Sequence, residues 1–189
     1  DITEQAYEYS YDGLGRLSNA IYSETNAPLK KNRFNEQVTG YDMQGNITGL
    51  KRYGQTGLDS YGLIDDLTLN YDGNQLRKVT DNATNTAYNN NFEFKDGINL
   101  DVEYIYDANG NLTKDLNKNI SDIQYNYLNL PRLIQFKDGS KISYLYNANG
   151  TKLQVTHISG GKTITTDYCN NVIYENGSLN KLMNEYGFV

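Results

Sequence analysis

The chain has no tryptophan, one cysteine, one histidine and two prolines, and it lacks any long apolar run. Each scarcity removes a class of protein. Cys169 alone cannot close an internal disulfide, and with His157 as the single histidine it makes no zinc set. Without about 20 consecutive apolar residues there is no membrane-spanning helix. Positive charge is also short: 17 Lys and Arg face 23 Asp and Glu, for a net charge of −6. The basic residues are scattered singly, which excludes a nucleic-acid footprint and a polybasic membrane patch. The opening DITEQAYEYS has neither the basic nor the apolar part of a secretion signal. It also starts on Asp, so residues 1–189 read as one domain cut from a longer protein.

What is abundant points to strands and turns. There are 18 Tyr against five Phe, together with 17 Gly and many Asn. Tyr suits half-buried pleated surfaces, whereas Gly and Asn supply the positive backbone angles of hairpin turns. The fold class expected is all-β.

Self-comparison exposes a repeat. YDGLGRL at Tyr11, YDMQGNI at Tyr41, YDANGNL at Tyr106 and YNANGTKL at Tyr146 share Tyr, Asp or Asn, two variable residues, Gly, a polar residue and an aliphatic one. Weaker copies start at Tyr71 (YDGNQLRKV) and Tyr127 (YLNLPRLI). Alternating stripes precede the turns: Tyr7, Tyr9 and Tyr11; Leu67, Leu69 and Tyr71; Val102, Tyr104 and Tyr106. Such alternation puts each trio on one face of a strand. Asp or Asn first and Gly fourth fit a type I turn closed by a Gly bulge. Further hairpin turns are expected at the two KDG segments (Lys95–Gly97 and Lys137–Gly139), at SGGK and at ENGS. SETNAPLKKN and TDNATNTAYNNN read as inserted polar loops.

The stretch from Asp107 also has the alternating oxygens of a calcium loop. That pattern needs Gly sixth and Glu twelfth, where this chain has Leu112 and Lys118. No Gly-Lys-Ser/Thr follows to make a phosphate loop. Other candidate groups are equally bare of partners. Asp65 and Asp66 are adjacent and so face opposite sides of a strand. His157 has no nucleophile set around it, and Cys169 is expected to be a buried, inert thiol. No metal, cofactor or catalytic residue is expected. The tyrosine stripes keep two readings: cross-strand ladders that hold the repeats together, or a platform on which Tyr7, Tyr9, Tyr11, Tyr104 and Tyr106 stack a sugar ligand.

The repeat, with tyrosines two apart before it, resembles the YD repeat of bacterial rearrangement-hot-spot (Rhs) proteins, toxin-complex B and C subunits and animal teneurins. YSYDGLGRL is the best match; Asn46, Asn111 and Thr151 depart from the Arg at position 16. DYCNNVIYENGSLNKL resembles the stretch before the Rhs-associated core. The resemblance implies antiparallel hairpins in a curved, spiralling sheet that forms part of a shell, with a β-sandwich as the alternative. It implies a secreted or cell-surface parent, a non-enzymatic wall, and a C-terminal toxin domain of the same polypeptide as partner. The core autoprotease motif is missing: Pro28 and Pro131 do not follow Asp. The alternative function is an adhesion or carbohydrate-binding module.

Overall fold

In a computed structural model, residues 4–25, 33–90 and 92–189 are described. The fold is all-β and antiparallel, in two open meander sheets belonging to two compact units, residues 1–103 and 104–189. The first sheet runs in chain order: β1 (Gln5–Tyr11), β2 (Leu17–Glu24), β3 (Glu36–Tyr41), β4 (Ile47–Gln55), β5 (Tyr61–Asp72) and β6 (Gln75–Asp81). The second contains β7 (Tyr104–Tyr106), β8 (Leu112–Asp115), β9 (Ile120–Tyr125), β10 (Pro131–Phe136) and β11 (Lys141–Tyr146). It continues through β12 (Lys152–Ser159), β13 (Lys162–Cys169), β14 (Val172–Glu175), β15 (Ser178–Asn184) and β16 (Gly187–Phe188). Most of SETNAPLKKN lies outside the described residues.

One turn recurs along both sheets. The Asp12 N–H donates to Arg16 O and the Gly15 N–H to Asp12 O, with Gly15 at φ +76°. The same pair of bonds appears at Asp42, Asp107, Asn126, Phe136 and Asn147. This is a type I turn with a Gly bulge. It shifts the register at Ser10/Tyr11, Gly40/Tyr41, Ile105/Tyr106 and Leu145/Tyr146.

Three sequence readings need correction. The weak copy is framed on Tyr125, not Tyr127: Asn126 takes the Asp place, and Asn129 at φ +55° takes the Gly place. Two tyrosines in one window, with Gly replaced by Asn, hid the frame. The first KDG is no hairpin, because the described residues of 82–103 contain no strand. That segment lies along the free edge of β6. Glu103 N–H donates to Arg77 O, Val79 N–H to Glu103 Oε2 and Asp81 N–H to Asp96 Oδ2. Two carboxylates thus supply the acceptors a neighbouring strand would have supplied, and cover an edge otherwise open to foreign strands. Val102 accordingly belongs to this segment and not to the strand of Tyr104 and Tyr106.

The core is thin. In the first unit Ala20, Tyr22, Ile64, Leu67, Val79 and Ala87 are buried; in the second, Tyr104, Ile120 and Ile123. Tyrosine hydroxyls supplement it. Tyr41 Oη donates to Leu17 O (2.7 Å) and Tyr71 Oη to Ile47 O (2.9 Å). Tyr125 Oη donates to Leu112 O (2.7 Å) and Tyr146 Oη to Pro131 O (3.0 Å). In every case the acceptor is the first residue of the strand returning from the preceding turn. Among the described residues Tyr11 makes no such bond, and it is 61% exposed.

Replacing Tyr41, Tyr71, Tyr125 or Tyr146 singly by Phe is expected to lower stability by about 1 kcal/mol, the net worth of one internal hydrogen bond. Tyr11→Phe is expected to change it by less than about 0.5 kcal/mol, as at ordinary surface positions. Urea unfolding of the five variants checks the contrast.

Candidate functional site

In the turn that looked like a cation loop, the Asp107 carboxylate is already engaged. Asp107 Oδ1 accepts from the N–H groups of Asn109 and Asn111, both at 2.9 Å, and Oδ2 accepts from Asn111 Nδ2 at 3.0 Å. Asp12 does the same for Leu14 N, Arg16 N and Arg16 Nε. Asn126 and Asn147 bind the corresponding amides through Oδ1 without a charge. The polar residue after Gly has a second task. Arg16 lies over the Tyr41 ring at 4.3 Å, Asn46 Nδ2 reaches Asn74 Oδ1 and Asn111 Nδ2 reaches Asn129 Oδ1. The Asp or Asn of each of these turns, and the polar residue after Gly in three of them, are therefore engaged within the sheet. Among the described residues no group of three His, Cys, Asp or Glu is arranged to hold a metal.

The paired carboxylates separate as strand geometry requires. Asp65 is fully buried, takes the Phe94 N–H at 2.6 Å and pairs with Arg52 Nη2 at 2.8 Å. Asp66 sits at the surface opposite Lys51 (3.3 Å). Burial raises the Asp65 carboxyl above its ordinary range, against the pull of the Phe94 amide and Arg52. His157 is exposed on β12. Cys169 is exposed rather than buried: it is the last residue of β13, beside the turn to β14.

The candidate tyrosines divide. Tyr7 and Tyr9 stack at 6.1 Å on the outermost strand of the first sheet, 43% and 55% exposed. From Tyr7 an aromatic chain crosses the sheet: Tyr22 at 5.4 Å, then Phe34 at 5.1 Å, then Tyr61 at 5.4 Å. Arg33 covers the far end, 4.3 Å over the Tyr61 ring. These are edge-to-face contacts of the ladder kind. Tyr104 is buried with its hydroxyl facing Asn117, so its ring is not offered to solvent; Tyr106 is half-buried.

A recess of about 300 Å³ that no motif announced lies in the first unit. Tyr7, Phe34, Glu36, Arg52, Tyr53 and Phe92 line it, with Gly54 and Ile64 beneath. A Cβ on Gly54 would stand 2.7 Å from Ile64 Cδ1, so glycine there lets Ile64 pack against the strand. Arg52 Nε is buried and meets no acceptor among the described residues. Its only sequence signals were single aromatics scattered over almost ninety positions.

No family profile matches the chain. Among curated proteins it is 28% identical over 184 residues to the tRNA3(Ser)-specific nuclease WapA of Bacillus spizizenii, an alignment covering 83% of this chain and 7% of the nuclease. That match supports a relation of the YD-repeat type. Among solved structures, the TcdB2-TccC3-TEV crystal structure aligns with 96% of this chain and 11% of its own, at 14% identity and a TM-score of 0.38. The chain spans about a tenth or less of either protein.

The turn geometry sets a pH dependence. Asp12 is held below the ordinary aspartate range first by the Arg16 amide, Asp42 by the Asn46 side chain, and Asp107 by the Asn111 side chain. A lowered folded pKa gives stability that is complete above the unfolded value near 3.8 and is lost as pH falls through the folded value. Asp65 acts in the opposite sense, favouring the fold as pH falls. The combined Asp12→Asn, Asp42→Asn and Asp107→Asn variant is expected to lose less stability than the parent chain on acidification from about pH 5 to about pH 2, by chemical unfolding. Millimolar calcium is expected to leave the melting temperature of either protein unchanged.

Proposed function

We propose that this chain is a non-enzymatic wall segment of a large secreted or cell-surface YD-repeat protein, and that its parent encloses or presents a C-terminal toxin. One observation carries the reading: the residues that recur are consumed in building the sheet. The Asp or Asn folds its own turn, the Gly takes the positive φ, and the Tyr ties each hairpin to the one before. A repeat whose recurring residues are mostly engaged in holding the sheet together supports a structural role over a catalytic one.

Two measurements test this. The 189-residue chain incubated with serine tRNA is expected to leave it intact; cleavage that follows the chain through purification would end the non-enzymatic reading. In the parent protein, the wall is expected to shield the C-terminal domain from limited proteolysis, and the combined Tyr41→Phe, Tyr71→Phe and Tyr125→Phe variant to expose it. Equal protease sensitivity before and after those substitutions would count against enclosure.

A further inference from the structure

The recess beside β4 owes nothing to the repeat, and it combines groups that select a ligand by chemical type. We propose that it binds one neutral sugar ring. Phe34, Tyr53 and Phe92 offer aromatic surface, and Phe34 is fixed by edge contacts to Tyr22 and Tyr61 at 5.1 and 5.4 Å. Glu36 offers an acceptor, and Arg52 a buried Nε–H that meets none among the described residues, while the Nη2 of the same guanidinium pairs with Asp65 at 2.8 Å. Tyr7 adds a phenol whose pKa is raised by burial and by Glu36.

Elimination narrows the occupant. An anion would meet Glu36. A cation would bring no acceptor to the Arg52 Nε–H. A purely apolar group would strip water from both without replacing its hydrogen bonds, a loss of the kind buried polar groups do not tolerate. A pyranose has hydroxyls that donate to Glu36 and accept from Arg52, and a C–H face for the rings. The volume, about 300 Å³, lies at the small end of ligand sites, enough for one ring with further units in solvent. Asp65 pairs with the Arg52 guanidinium at 2.8 Å and offsets its charge. This binding role is independent of the wall role, and either can fail alone.

The test is saturation-transfer NMR on the 189-residue chain with methyl β-glucopyranoside, methyl β-galactopyranoside and N-acetylglucosamine, with choline and glucuronate as charged comparators. Phe92 is 95% exposed and Glu36 is also exposed, so Phe92→Ala and Glu36→Gln leave the fold intact; an unchanged melting temperature verifies it. The expected result is saturable transfer to at least one neutral pyranoside, weakened about tenfold by each variant, a loss of about 1.4 kcal/mol. Met43→Ala, at the tip of a turn where Met43 is fully exposed, is expected to leave it unchanged. Absence of saturable binding by all three neutral sugars overturns the proposal. So does binding that survives both recess variants, or tighter binding of choline or glucuronate.

Discussion

A phenol donating to a main-chain carbonyl organises this protein. Each of Tyr41, Tyr71, Tyr125 and Tyr146 reaches the carbonyl that opens the returning strand of the hairpin before it. The separation along the chain differs, 24 residues in the first unit and 13 or 15 in the second, yet the acceptor's place in the repeat does not. The bond joins adjacent hairpins at their turn ends, so extra length can be inserted at the other end without disturbing it. That matters in a sheet with few buried apolar side chains, where directional bonds must fix the order of the hairpins.

The turns depend on the same economy. A side-chain oxygen at the first turn position replaces the solvent that two exposed amides would otherwise need, and holds the backbone for the bulge. Asp and Asn perform this equally in geometry. They differ in charge, and the Asp turns gain a further bond from Arg16, Asn46 or Asn111. That third residue then reaches the next turn, by stacking on Tyr41 or by an amide-to-amide bond. Successive turns are thereby linked side by side, just as the phenols link strand ends.

Much of this was legible in the sequence, because a repeat reports itself. The strands, the alternation of Tyr7 and Tyr9, the bulged turns at Asp12, Asp42 and Asp107, and the opposite facing of Asp65 and Asp66 all follow from period and turn chemistry. The reason for Tyr over Phe was not legible: its acceptor is a backbone carbonyl, which leaves no residue signature. The frame at Tyr125 was lost because Asn129 adopts a positive φ that Gly usually marks. Asp96-Gly97 looked like a hairpin turn, yet its carboxylate serves Asp81 N–H as an edge acceptor. Cys169 ends its strand at the surface, a position that burial tendencies do not encode.

The recess was illegible for a related reason, and the cause says where to look for ligands in such chains. Regular hairpins use up their motif residues, so a repeat that propagates perfectly presents only a wall. The segment 82–103 breaks the period: it ends the first sheet by lending Glu103 and Asp96 to the β6 edge, and it brings Ala87 and Phe92 to the recess walls. Phe94, two residues further on, donates its amide to buried Asp65, which in turn orients Arg52. One irregular segment therefore covers an edge, gives a buried carboxylate a hydrogen bond and completes a recess. Where the regular hairpins bond to one another, the interruption is what shapes the recess for which sugar binding is proposed.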